Sequence, residues 1–310
     1  MPDSSWRPTQ VGRESTERIE RLVRGLEGEL GREAGNLLAR HSYTVDSDGG
    51  GPHTNVLGHP LIELPVWIAN ATGLGGDVTA ETLSDVCESS LCGYLSVRAE
   101  DDYFDGHSDE PEATMMLSAF FRTRHQALLA PIVSDRRFWE RFQNLWLGYC
   151  EAMLLERSLH DPRSKYGREE FDVVLDRSQP LEIPGNAVLS IAGRWDLAGQ
   201  LSELVRYLTK ATQLFNDFVD APDDLAVGNY TWMVRRLGGL QGKEALSHGM
   251  IAMGDDVVAE VGEELDRASS LAGELDLAEL VDWAEARKRV MAEASQRMYR
   301  ALFGRLGSDG

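Results

Sequence analysis

Cysteine is scarce in this 310-residue chain: Cys87, Cys92 and Cys150 are an odd number, without metal-ligand spacing and without a partner histidine pattern. They support neither a disulfide framework nor a zinc site and read as reduced core residues. Basic residues are also short, 31 Lys and Arg against 51 Asp and Glu, a formal net charge of −20. Such a chain repels nucleic acid and anionic membrane surfaces, so neither is expected as a partner. No apolar run approaches the length of a membrane span, and the opening MPDSSWRPTQ has no apolar signal core. The expectation is therefore a cytoplasmic protein without a membrane span, in which the sequons at Asn70 and Asn229 carry no glycan.

Familiar catalytic signatures are missing too. There is no G-x-S-x-G and no H-E-x-x-H, and the seven histidines form no ligand pair at helical spacing. His107, beside an acidic run, reads as a loop residue. The GLGGD of Gly73 to Asp77 lacks the G-x-G-x-x-G spacing and a preceding strand, so it is no dinucleotide loop. No stretch alternates apolar and polar residues long enough for a convincing strand, which leaves an all-α chain.

What is present is helical periodicity that runs into acid. Leu201, Leu204, Val205, Leu208, Ala211, Phe215 and Phe218 recur at three- and four-residue steps, the stripe of an amphipathic helix. Asn216, Asp220 and Asp224 then follow at i, i+4 and i+8, with Asp217 and Asp223 alongside. On a continuing helix their oxygens stack along one face. Carboxylates crowded near a helix C-terminus repel one another and oppose the macrodipole, at about 0.3–1 kcal/mol per charge. Hard oxygen donors in that number suit Mg2+, which bridges a few carboxylates to phosphates and keeps several waters. Pro222 cannot donate to the carbonyl of Phe218, so the helix is expected to kink or end there and to carry Asp224 away.

A second acidic pentapeptide has the same layout. Asp101-Asp102-Tyr103-Phe104-Asp105 matches Asn216-Asp217-Phe218-Val219-Asp220: two polar ligands, two spacers including an aromatic, then Asp. Val78 to Arg98 is helical in pattern, so Asp101 and Asp105 lie one turn apart on its continuation, and Gly106 stops it. Both pentapeptides are expected to face one cavity.

Residues 1–12 read as a frayed tail, 13–306 as one helical domain and 307–310 as a loose end. Gly12 to Arg40 reads as a single long helix, followed by a loop punctuated by Gly49-Gly50-Gly51-Pro52. Leu61 to Thr72 reads as a buried helix with Pro65 in its first turn. Further helices follow from Pro111, over Asp135 to Leu159, around Gly167 to Leu175 and over Ala187 to Trp195. From Tyr230 the chain is helical to about Leu306, with breaks near Gly238-Gly239 and Gly254.

The paired motifs, on an all-α chain of this length, resemble the class I isoprenoid synthase superfamily of trans-prenyl diphosphate synthases and class I terpene synthases. Asn216 to Gly228 is a hybrid. Its N-D-x-x-D-x-x-x-D spacing is similar to a terpene synthase motif, while Gln213 and the following Gly-Asn-x-Thr look like the prenyl synthase version. The likeness covers roughly residues 60–240. Chain-elongating members hold a second diphosphate with a G-K-R motif and an R-R-G motif. Their places here read VLGHPLIELP and GHSDEPEAT, and a K-T appears as Asn186-Ala187. Two polyanions in one cavity need Arg and Lys to offset them.

The resemblance therefore implies a class I terpene synthase that ionises one linear prenyl diphosphate, farnesyl or geranylgeranyl diphosphate in first place. It implies a single large helical bundle with a central apolar cavity, Mg2+ as cofactor, about three ions with the substrate bound, and a homodimer. A prenyl diphosphate synthase, or a catalytically idle regulatory partner of one, is the alternative. Asp101, Asp102, Asp105, Asn216, Asp217 and Asp220 would carry the chemistry, with Asp101, Asp105, Asn216, Asp220 and Asp224 as metal ligands. Arg168, 48 positions before Asn216, is near where terpene synthases carry a diphosphate-sensing arginine; Arg194, Lys210, Arg235, Arg297 and Tyr299 are further candidates for the diphosphate. Trp67, Tyr94, Phe120, Phe142, Trp146, Tyr149, Phe215 and Phe218 would line the cavity, where desolvated aromatic faces stabilise a carbocation by about 2 kcal/mol each.

Overall fold

The computed structural model describes residues 9–41, 58–73 and 78–306, and side chains over 9–40, 63–73 and 78–296. The glycine-punctuated loop, all but the first residue of GLGGD, most of the expected N-terminal tail, the C-terminal end and the side chains of Arg297 and Tyr299 lie outside the described residues. Every regular element among those described is helical, as the missing strand pattern required. The chain divides into two compact units, Met1–Phe142 with Leu181–Gly199, and Gln143–Pro180 with Gln200–Gly310.

The first unit contains α1 (Gln10–Arg24), α2 (Gly28–His41), α3 (Gly58–Ala71), α4 (Ala80–Phe104), α5 (Pro111–Leu129), the start of α6 (Arg136–Leu159) and α8 (Ile183–Ile191). Helix α1 begins inside the span expected to be frayed, because the Thr9 side chain accepts from the Gly12 amide at 3.1 Å. The single helix expected over Gly12 to Arg40 is broken. Gly25 caps α1, and Gly28 takes φ +63°, a left-handed conformation that costs glycine little. Helix α3 starts before Leu61, so Pro65 sits inside it and not in its first turn.

Helix α4 is the buried centre of this unit. Thr79 caps its start, and Gly106 at φ +70° follows its end, where the sequence placed the stop. Leu91, Tyr94 and Leu95 of α4 pack with Leu117 and Phe121 of α5 and with Ile19, Val23 and Leu37 from α1 and α2. Closing α4 on several sides in this way fixes its rotation, since a well-packed interior leaves side chains few alternative positions.

The second unit contains the remainder of α6, α7 (Arg168–Val174), nearly all of α9 (Ala198–Val227), α10 (Trp232–Arg236), α11 (Lys243–Glu274) and α12 (Ala278–Leu306). The stripe predicted for α9 is buried throughout, from Leu201 to Phe218. The helix does not end at Pro222 but continues to Val227, so Asp224 stays on it. No break occurs at Gly254; the interruption comes instead at Leu275–Leu277, where Asp276 adopts φ +56° between α11 and α12. Cys87 and Cys92 are buried as expected, whereas Cys150 is exposed on α6.

Candidate active site

In the first unit the acidic motif forms the last turn of α4. Three consecutive acids each have an arginine from a different place in the chain. Glu100 receives Arg122 of α5 at 2.5 Å, Asp101 receives Arg98 of its own helix at 2.9 Å, and Asp102 receives Arg40 of α2 at 2.9 Å. At 100° per residue Asp101 and Asp105 share a face while Asp102 points about a quarter-turn away. The burial follows that geometry: the Asp102 side chain is 3% exposed, Asp101 is half-buried and Asp105 is exposed.

Behind Asp102 sits a second acid that the sequence reading passed over. Glu33 of α2 is fully buried, accepts from Arg40 Nη2 at 2.7 Å and from the Thr114 hydroxyl at 3.0 Å. Burial alone would push its carboxyl up, yet the hydrogen bonds from Arg40, Thr114 and Asn36 bring it below its ordinary range.

In the second unit the other motif occupies the last turns of α9. Asp220 and Asp223 are exposed; Asn216, Asp217 and Asp224 are half-buried. The Asp217 carboxyl accepts from Gln213 Nε2, Gln213 Oε1 accepts from Arg177 at 2.5 Å, and Arg177 also donates to Glu156 of α6 at 2.5 Å. Burial is the main reason that Asp217 is pushed up to about 8; Arg177 and Gln213 pull it back, and Glu156 and Asp224 push it further. Burial and the neighbouring Asp223 raise Asp220 as well.

The candidate diphosphate ligands with described side chains all have partners. Arg168 bonds to Glu260, lies 3.5 Å from Asp172 and stacks its guanidinium 5.1 Å from the Trp232 ring. Lys210 lies 3.2 Å from both Asp172 and Glu264. Arg194, in the first unit, pairs with exposed Asp196 at 3.0 Å. Arg235 donates to the carbonyl oxygens of Leu159, Asp161 and Ser164 at 2.7 to 3.0 Å, which makes it a pin for the turn after α6.

Of the aromatic residues proposed for a cavity, Trp67, Tyr94 and Phe142 are buried in the first unit and Trp146, Tyr149, Phe215 and Phe218 in the second. Phe120 is half-buried against the first unit's core. Phe142 stacks on His125 with ring centroids 5.3 Å apart, and Trp146 meets Tyr149 edge-on at 5.5 Å.

Both motifs offer only hard oxygen donors. Among the described residues no three carboxylate, imidazole or thiolate groups converge into a closed metal cage. Oxygen donors of the motifs' kind are the ligand chemistry of Mg2+. Arg40, Arg122 and Arg177, which meet the motifs or their neighbours, were missed because they lie outside any local spacing: they come from helices brought together only in the fold.

No protein-family model matches the sequence, and no curated protein does. Solved structures do match in fold. A geranylgeranyl pyrophosphate synthetase from the archaeon Geoglobus acetivorans is 15% identical, with a TM-score of 0.69 over 90% of this chain and 95% of that one. A geranylgeranyl pyrophosphate synthase from Lactobacillus brevis is 13% identical, with a TM-score of 0.67 over 90% and 97%. A polyprenyl synthase from Caulobacter crescentus, complexed with calcium and isoprenyl diphosphate, is 14% identical, with a TM-score of 0.65 over 89% and 95%. The chain has the all-α fold of these trans-prenyl diphosphate synthases.

Proposed function

We propose that the protein is an isoprenoid synthase that uses a divalent metal to release diphosphate from a linear allylic prenyl diphosphate. The observation that carries this reading is the pair of acidic helix ends, on α4 and α9, in a chain with the prenyl synthase fold. Fold alone does not give function; the motifs supply the chemistry. Asp101, Asp105, Asn216, Asp220 and Asp224 are the proposed metal ligands. Bound Mg2+ would supply Lewis-acid neutralisation of the leaving diphosphate. The protein's own contribution is to fix those oxygens on rigid helix ends and to keep apolar and aromatic surface around the reacting carbons, where water is excluded and cationic charge is tolerated.

Of the two fates for the allylic cation, the solved relatives in fold support chain elongation, the transfer of the prenyl group to a second prenyl diphosphate. A second reading, cyclisation or quenching of the cation by a terpene synthase, has its own support. VLGHPLIELP and GHSDEPEAT contain no lysine or arginine for a second diphosphate, and Arg40, Arg98 and Arg122 are engaged by the motif's acids.

The two are separated by giving the protein farnesyl or geranylgeranyl diphosphate with Mg2+, with and without isopentenyl diphosphate, and analysing the products. Turnover only with isopentenyl diphosphate establishes elongation. A hydrocarbon or alcohol from the allylic substrate alone establishes the terpene synthase. Neither product, with Asp101→Ala leaving every measured property unchanged, would point to an idle regulatory partner.

A further inference from the structure

The structure assigns Arg40 and Glu33 of α2 as positioning residues for the first acidic motif, an inference that rests on the reading of Asp101 and Asp105 as metal ligands. Asp102 faces inward at the end of α4. It is the one acid of Asp101, Asp102 and Asp105 whose side chain is buried, at 3% exposure, and Arg40 Nε meets it at 2.9 Å. The same guanidinium turns its Nη2 to Glu33 at 2.7 Å, and the Glu33 side chain is 0% exposed. Glu33 is held in turn by the hydroxyls of Thr114 at 3.0 Å, from α5, and Ser108 at 3.2 Å, just past the motif. A further bond closes the turn, from the His107 amide to the Asp102 carbonyl at 2.9 Å. Three segments thus converge on the end of α4 through one planar cation that donates in two directions.

Holding Asp102 inward fixes the rotation of the last turn of α4. Asp101 and Asp105 then stay together, one helical turn apart, on the more exposed face beside the clamp. Lysine cannot reproduce this, because a single ammonium lacks the fixed fork that reaches Asp102 and Glu33 together. Groups that orient metal ligands from behind typically control metal affinity by 10–100-fold.

The sign of the effect separates positioning from plain charge. Removing Arg40 leaves Asp102 and Glu33 without their cation, and that added negative charge alone would draw a divalent ion more tightly. Loss of positioning does the reverse. The test is titration of the full chain with Mn2+ in the presence of inorganic diphosphate, read by the paramagnetic resonance of free Mn2+, alongside thermal melts. Arg40→Gln, folded by circular dichroism, is expected to bind Mn2+ about 10–100-fold more weakly, with Arg40→Lys in between and Asp101→Asn as the reference for loss of a ligand. Equal or tighter binding in Arg40→Gln overturns the assignment, as does wild-type protein whose Mn2+ binding Asp101→Asn leaves unchanged. Should Arg40→Gln not fold, Arg40→Lys carries the test, since it keeps the charge and loses the fork that reaches Asp102 and Glu33 together; unchanged affinity in that folded variant overturns the assignment equally. A wild type that binds Mn2+ but releases no diphosphate from any prenyl substrate refutes the enzymatic reading and leaves the positioning role standing.

Discussion

At the scale of single residues, Asp217 and Arg235 carry contrasting expectations. Asp217 titrates near 8 in the folded protein against an ordinary carboxyl value of 3.8, chiefly through burial. A folded state that holds its proton more tightly than the unfolded state is favoured below the unfolded value and loses that advantage as pH rises toward 8. In metal-free protein, Asp217→Asn should therefore gain melting temperature over wild type progressively from about pH 5 to pH 8 and level off above. A constant difference across that range would contradict the assignment. His125 behaves oppositely: burial lowers it to about 4, so stability is complete above its ordinary value of 6.5 and falls as pH drops through 4. Its imidazole resonances should show no titration between pH 7 and pH 5. Arg235, spent on backbone carbonyls, is a matter of stability and not of substrate. Arg235→Met should cost about 3 kcal/mol in denaturant unfolding, given about 1.5–3 kcal/mol for each hydrogen bond to a charged group and partial replacement by water. At a temperature where the variant is folded, its substrate KM should match wild type.

At the scale of elements, the amphipathic stripes were readable because burial imposes its period directly on the sequence. The α9 stripe from Leu201 to Phe218 and the end of α4 at Gly106 needed no tertiary knowledge. What was not readable depended on partners distant in sequence. Pro222 breaks a hydrogen bond but not the helix, because the packing of Phe218 and Ala221 on the buried face holds α9 through the gap. The arginines of the first motif were invisible for the same reason: Arg40 and Arg122 become its neighbours only when α2 and α5 pack on α4. Gly249, also unmarked in sequence, lets α11 approach the turn after α10, where an added Cβ would collide with the Leu237 carbonyl oxygen. Gly249→Ala is expected to destabilise by about 1–3 kcal/mol through overpacking, measured by urea unfolding; a neutral result would mean that the two segments separate easily.

At the scale of the whole molecule, the net charge of −20 frames the proposed chemistry: a diphosphate substrate would approach a polyanionic protein, and a divalent cation would resolve the conflict. Among the described residues no helix is long and apolar enough to cross a membrane. On the proposed function the acids of α4 and α9 carry the chemistry, and metal dependence is its most exposed consequence. The deciding measurement is release of inorganic diphosphate from farnesyl and geranylgeranyl diphosphate, with isopentenyl diphosphate present, over a Mg2+ titration. Wild type is expected to release diphosphate only with metal, and Asp101→Asn and Asp220→Asn are each expected to lower the rate at least about 100-fold, as loss of a transition-state electrostatic contact does. Metal-independent release, or full activity in both variants, would contradict the account.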